Sequence, residues 1–282
     1  MSQEKVSQEA VWEARKEIMK WSHKVEQYGF VSATDGNLSV RLADDLVMIT
    51  PSGLAKGEMT LEAPIIIDME GKKVEGAGKP SSEQKLHLEV YRARADIRAV
   101  IHAHPPKCIA FTIAGIPIET CILPEVVVTI GSVPTSAYAT PTTDEVPLSI
   151  RDYLKENDAV MLARHGSLTM GACLADAFKI LEKMEHSATI AIYAQMLGGI
   201  KPFTPEELQK LYNLRPSWGI QKNPSPCEHC GTCTSQTCAN RSAAAGAAGM
   251  MTYSAAANQL PADLDMASLV DIIVERVREK LA

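Results

Sequence analysis

The chain has 282 residues, of which 46% are hydrophobic and 22% charged, so it can bury a substantial core and is not a wholly disordered polypeptide. A net charge of −6 argues against a broad nucleic-acid-binding surface. No stretch approaches the roughly 18 uninterrupted apolar residues of a membrane helix, and the polar N-terminus MSQEKVSQEAVWEARKE has no apolar signal core. The expectation is a cytoplasmic protein, without nucleic-acid or membrane partners, whose cysteines are reduced thiols or metal ligands.

Val11, Ala14, Ile18, Trp21, Val25 and Tyr28 recur at spacings of three and four and predict an amphipathic helix capped at Gly29. Short strands are expected at 38–42 (LSVRL), 45–50 (DLVMIT) and 63–69 (APIIIDM). A helix opens near Pro80-Ser81-Ser82 and carries EQKLHLEVYRARA. RAVIHAH (98–104) and DAVMLARHG (158–166) read as strands, with a helix from about 144 to 156 between them, and 172–199 is the longest helical stretch. Strands mixed with helices predict a layered α/β sheet covered by helices. Cys108, Cys121 and Cys173 read as small core residues. His23, His87 and His186 have no partner at ligand spacing and read as surface or packing residues.

The strongest chemical signal is His102-Ala103-His104 on an apolar strand, with His165 at the end of another. Residues two apart on a strand share a face, so both imidazoles can meet one metal ion, and a third histidine completes a site with an open position for substrate. Zinc suits such a site, and manganese or cobalt also accept nitrogen ligands. Three polar turns accompany it: Thr34-Asp35-Gly36-Asn37, Thr50-Pro51-Ser52-Gly53 and Lys79-Pro80-Ser81-Ser82. Each offers hydroxyl, amide or main-chain N–H donors, and the third opens a helix, so together they suggest a phosphate pocket. Glu83, read as one residue inside that helix start, is placed for general acid/base work on a carbon beside a metal-bound carbonyl. The plain alternative is that it complements the helix dipole.

In this order over residues ~8 to ~215, TDGNLSVR, ITPSG, KPSSE, the strand with HAHP, and RHG before a long helix resemble the class II aldolase/adducin family. The likeness is greatest to its members that cleave sugar 1-phosphates. The resemblance implies a three-layer α/β/α sandwich over 1–215 that forms a homotetramer, with one zinc ion per subunit near the subunit interfaces. Carried over by position, it implies zinc on His102, His104 and His165. It implies phosphate at Gly36, Asn37, Ser52, Gly53, Ser81 and Ser82, and Glu83 as the acid/base. The implied reaction is retro-aldol cleavage of L-fuculose or L-rhamnulose 1-phosphate to dihydroxyacetone phosphate and L-lactaldehyde. In it zinc stabilises the enediolate and Glu83 protonates C3. Pentulose 5-phosphate 4-epimerases, a thio-sugar phosphate dehydratase and non-catalytic adducin-like scaffolds share the fold. Such epimerases carry an aspartate near the position of Glu83, and retention of three histidines argues against a scaffold. One departure stands out: the tyrosine that assists the aldehyde end in the aldolases has no counterpart in Cys121–Val128, where Glu125 reads as a structural or helix-start residue.

Beyond Trp218 the character changes. Residues 216–260 read as a flexible linker, Cys-rich and then Ala/Gly-rich. Within it Cys227, Cys230, Cys233 and Cys238 stand at spacings compatible with a second zinc or an iron–sulfur cluster, with His229 as a spare donor. Redox cross-linking, or no defined role, are the other readings. Residues 261–282 carry Met266, Leu269, Val270, Ile273, Val277 and Leu281 on one stripe of an amphipathic helix. A helix this short cannot bury that stripe alone. It resembles the peptides that carry enzymes into bacterial microcompartments, implying a shell protein or co-encapsulated enzyme as partner. Packing on its own domain, or on a membrane surface, are the alternatives.

Overall fold

The computed structural model describes residues 6–118 and 121–220. The cysteine cluster at 227–238 and the amphipathic stretch at 261–282 lie outside the described residues. In chain order the elements are α1 (Gln8–Gln27), β1 (Asn37–Ala43), β2 (Leu46–Ile49), β3 (Ile65–Asp68), β4 (Lys73–Glu75), α2 (Gln84–Ala93), β5 (Ala99–Ala103), α3 (Pro106–Ala114) and α4 (Pro124–Thr129). Then come β6 (Thr135–Ser136), α5 (Glu145–Ile150), β7 (Ala159–Leu162), β8 (Gly166–Gly171), α6 (Leu174–Met196) and α7 (Pro205–Leu214). The strands form one sheet in the order β4-β3-β2-β1-β5-β8-β7-β6, antiparallel except for the parallel β6–β7 edge.

Alternation along each strand sorts side chains onto two faces, as the two-residue period requires. Val47, Ile49, Val100, Val160 and Leu162 pack with Leu86, Val90 and Tyr91 of α2 and with Val146 and Ile150 of α5. Met48, Ile66, Ala99 and Ile101 point the other way, onto Ile18, Trp21 and Val25 of α1 and Leu174, Phe178 and Leu181 of α6. Farther along α6, Met184 and Ala188 close a third cluster with Ala159, Met161 and residues of α3 and α4. The result is the expected α/β/α sandwich. Because both faces are covered, the central strands are apolar almost throughout, which is why β5 could be recognised from RAVIHAH.

Four expectations need correction. Residues 166–171, GSLTMG, of which only Gly166 falls in an expected strand, form β8 between β5 and β7. It is short, bounded by glycines and adjacent to a stronger helical pattern, so it carries little period of its own. The expected strand at 158–166 stops at Leu162, and residues 163–165 form the turn into β8. The helix expected over 144–156 breaks into α5 and a 3₁₀ turn, Arg151–Tyr153. Cys173 is exposed at the N-cap of α6, its Sγ 3.2 Å from Asp176 Oδ2, whereas Cys108 and Cys121 are buried as expected.

Candidate active site

Residues from three parts of the sheet meet at one point on the α2 face. His102 is the fourth residue of β5 and shares its face with Val100. His104 follows two residues later, just past the strand end. His165 sits in the β7–β8 turn, which the hairpin folds back beside β5 through the Ala103–Ser167 pairing. One nitrogen from each ring lies within 4.8 Å of those of the other two. His102 Nδ1 donates to the Ser167 carbonyl at 3.0 Å, which turns Nε2 towards the centre, 3.1 Å from His104 Nε2. Such an outer hydrogen bond fixes the tautomer of a metal-ligating histidine.

Gly166 makes the cluster possible. A Cβ there would lie 2.5 Å from the Ala103 carbonyl oxygen, 2.8 Å from His104 Cδ2 and 3.0 Å from His102 Cε1. Gly166→Ala is therefore expected to displace two of the three rings and cost about 1–3 kcal/mol of stability. Thermal unfolding together with a metal titration checks both effects.

Glu83 completes the group. It is the N-cap residue of α2, one position before the helix and not inside it as expected. Its Oε2 lies 3.2 Å from His102 Nε2 and its Oε1 lies 3.3 Å from His165 Nε2. Burial works against its charged form, but the adjacent His102 and His165 rings prevail and hold the carboxyl far below the usual carboxylate range. Burial likewise opposes a proton on His102, and the Glu83 carboxylate overcomes it, so the His102 pKa is raised. Burial, His102 and His165 push His104 down to about 3.

A divalent cation fits this donor set. The nitrogens converge, and Glu83 Oε1 is buried with no hydrogen-bond partner among the described residues. Three imidazoles with a carboxylate beside them suit zinc and neighbouring divalent metals.

Above the cluster opens a cavity of about 310 Å³, walled by all three predicted turns: Thr34 to Asn37, Pro51 to Gly53, and Ser81 to Glu83. Gly36 runs along β5 at φ +72°, where a Cβ would lie 2.6 Å from Val31 Cγ1 and 3.0 Å from the His102 carbonyl oxygen. The second and third turns are tied as a pair: Ser52 N–H donates to Lys79 O at 2.9 Å and Ser81 N–H to Thr50 O at 3.2 Å. Those two main-chain donors are thus committed to the scaffold. The Ser52 and Ser82 side chains border the cavity, while Ser81 Oγ accepts from the Glu83 N–H at 3.2 Å. Asn37 borders the cavity too, but its amide donates to Glu83 Oε2 at 2.9 Å.

Three contributors were not read from the sequence. Lys56 is fully buried, with its ammonium donating to Thr34 O at 3.1 Å and Leu54 O at 2.7 Å, which ties the first turn to the chain leaving the second. Burial lowers its pKa, while Asp35 and Glu26 oppose that. Nothing in LAKGEM marks a buried cation, since lysine in a polar stretch ordinarily lies in solvent. Pro141 and Thr142 close another wall of the cavity, with Thr142 at φ 67°, uncommon for a β-branched residue. His87 is not a surface residue but wholly buried beside this site. His23 and His186 are exposed as expected, and Glu125 is an exposed first-turn residue of α4.

Lys56→Met keeps the length of the side chain but removes the charge and both hydrogen bonds. A hydrogen bond from a charged group contributes about 1.5–3 kcal/mol. Loosening of the two turns should appear as a KM raised about 10-fold or more for a phosphorylated substrate, with kcat less affected. Steady-state kinetics separate the two.

Known proteins resemble this chain in sequence and fold. The model of the family described as Class II Aldolase and Adducin N-terminal domain matches residues 16–192. A 5-deoxy-D-ribulose 1-phosphate aldolase of Bacillus thuringiensis serovar kurstaki is 32% identical over 209 residues, 73% of this chain and 97% of that protein. A 3-oxo-tetronate 4-phosphate decarboxylase of Haemophilus influenzae is 29% identical over 205 residues, 71% of this chain and 97% of that protein. Among solved structures, an L-fuculose 1-phosphate aldolase superposes with a TM-score of 0.66 at 31% identity, covering 71% of this chain and 95% of that one. With fold, motif order and metal-competent cluster in agreement, the chain belongs to the class II aldolase and adducin family, whose aldolases are metal-dependent, and is an aldolase-type enzyme of that family.

Proposed function

We propose that the chain cleaves a ketose 1-phosphate, L-fuculose or L-rhamnulose 1-phosphate, to dihydroxyacetone phosphate and L-lactaldehyde. The observation that carries this reading is the juxtaposition of Glu83 with the three histidines at the base of a cavity walled by three polar turns. His102, His104 and His165 would hold one zinc ion per subunit. When bound, that ion supplies a Lewis acid for the negative charge that develops on the substrate oxygens as the C3–C4 bond breaks.

The remaining work falls to the chain's own groups. Gly36, Asn37, Ser52, Gly53, Ser81 and Ser82 border the phosphate end, with buried Lys56 adding positive charge behind two of the turns. The net reaction moves one proton from the C4 hydroxyl to C3, and the Glu83 carboxyl delivers it to C3.

Residues 1–215 form the catalytic domain in this reading, assembled as a homotetramer, and 216–260 connect it to an encapsulation peptide at 261–282. Sealing an aldehyde product inside a bacterial microcompartment accounts for such an address. Residues 260–282 fused to a fluorescent protein should gather into foci when co-expressed with shell proteins of the same host. Diffuse fluorescence would remove that part of the proposal.

Product identity tests the reaction. Metal-loaded protein is incubated with L-fuculose 1-phosphate, L-rhamnulose 1-phosphate, 5-deoxy-D-ribulose 1-phosphate and L-ribulose 5-phosphate. Dihydroxyacetone phosphate from L-fuculose or L-rhamnulose 1-phosphate is the expected result, whereas its release from 5-deoxy-D-ribulose 1-phosphate alone would replace the proposed substrate. Epimerised pentulose phosphate without cleavage would replace the aldolase reading by that of a 4-epimerase.

A further inference from the structure

Glu83, His87 and Tyr91 follow one another at intervals of four along α2 and its N-cap, and Asn37, Ser39 and Arg41 at intervals of two along β1. Four helical residues advance about 6 Å and two strand residues about 6.8 Å, so two such rows can stay in register. Here they are joined rung by rung. Asn37 Nδ2 donates to Glu83 Oε2 at 2.9 Å, and Asn37 Oδ1 meets His87 Nε2 at 2.5 Å. His87 Nδ1 meets Ser39 Oγ at 2.6 Å, and Ser39 Oγ meets the Tyr91 hydroxyl at 2.7 Å. Beyond them the Arg41 guanidinium lies over the Tyr91 ring, 4.9 Å from its centre, and donates to the Tyr91 carbonyl. Asn37, Ser39, Arg41, His87 and Tyr91 are all buried.

The direction of every bond follows from the first. A carboxylate only accepts, so Asn37 turns its amide nitrogen to Glu83 and its oxygen away. That oxygen also only accepts, so His87 Nε2 carries the hydrogen. A neutral ring then has its lone pair on Nδ1, which accepts from the Ser39 hydroxyl, and Ser39 Oγ accepts from Tyr91. Burial, with a smaller contribution from His102, pushes His87 down to about 3 and keeps the ring neutral. If His87 were absent, buried Asn37 Oδ1 would lose its partner, and the amide would no longer be anchored against the Glu83 carboxylate.

We propose that His87 is a positioning residue: acting through Asn37, whose oxygen sets its tautomer, and anchored from behind by Ser39 and Tyr91, it holds the Glu83 carboxylate facing His102 and His165. The proposal rests on the reading of Glu83 as the acid/base. His87 touches neither the metal-competent nitrogens nor the cavity, and its effect is on the orientation of a group that does.

The test uses full-length, metal-loaded protein carrying His87→Leu, His87→Gln, Asn37→Ala, or His87→Leu with Asn37→Ala. Loss of an outer-shell partner typically costs 10–100-fold. The expected result for His87→Leu is a kcat lowered by that factor, with bound metal and KM unchanged. His87→Gln, whose amide can still donate to Asn37, should recover part of it. The double variant should be no slower than Asn37→Ala alone, because the two residues act in series. In parallel, nitrogen-15 spectra of labelled histidine rings in the wild-type protein should show His87 as the Nε2–H tautomer at neutral pH. An unchanged kcat, additive losses, or the Nδ1–H tautomer would each overturn the proposal. If the wild type cleaves none of the sugar phosphates, the aldolase reading falls. The ring spectra then still decide the relay, as they do if His87→Leu does not fold.

Discussion

Replacing His102, His104 or His165 by alanine is expected to lower bound metal by one ion per chain and to abolish cleavage, while the fold survives. The rings come from a strand, from just past its end and from a turn, and no other histidine, cysteine, aspartate or glutamate group capable of holding a metal is grouped among the described residues. A site with three protein ligands has none to spare. Effects on folding should differ between positions. His102 is wholly buried and its Nδ1 hydrogen bond to Ser167 helps hold β8 against β5, so its removal leaves a cavity and an unpaired carbonyl. His104 and His165 are partly exposed, and their alanine variants should melt close to the wild type. Mass-spectrometric metal analysis beside thermal unfolding gives both numbers for each variant. Metal content unchanged in all three would refute the site.

Glu83→Gln is expected to keep the fold and the metal but lower kcat by about 10²–10⁴-fold, the usual contribution of a general acid/base. The carboxamide has nearly the same shape and can still sit at the N-cap of α2, but it cannot carry the proton. The substitution keeps the hydrogen bond from Asn37 Nδ2 when the new amide oxygen faces it, since that oxygen accepts as the carboxylate did. KM should therefore move little and kcat greatly. A kcat within a fewfold of the wild type would reduce Glu83 to a residue that complements the helix dipole.

Much of this was legible in the chain. Apolar strands such as IIID and AVIHA announce a sheet buried on both faces, and α1 shows its period in Ala14, Ile18, Trp21 and Val25. The three polar turns and the His-x-His pair were visible because glycine, serine and histidine are unusual beside such strands. The structure brings all three turns, together with Glu83, His104 and His165, to one cavity. What stayed hidden depends on pairing between distant segments. GSLTMG is a strand because β5 and β7 flank it, not because of its own composition. Lys56 is buried because two carbonyls from separate turns meet its ammonium. His87 looked solitary because its partners are on β1, almost fifty residues away, although its spacing of four from both Glu83 and Tyr91 was available as a signal. The stretch 121–128 supplies the buried valines of α4.

The most direct measurement follows metal and product in one preparation. Dihydroxyacetone phosphate release from the cleaved ketose 1-phosphate is recorded before chelation, after complete removal of metal, and after return of one equivalent of zinc or cobalt per chain. Loss of cleavage on chelation, its return with the added ion, and no such return in His104→Ala are the predicted results. Cleavage that persists at the original rate in metal-free protein would contradict the account.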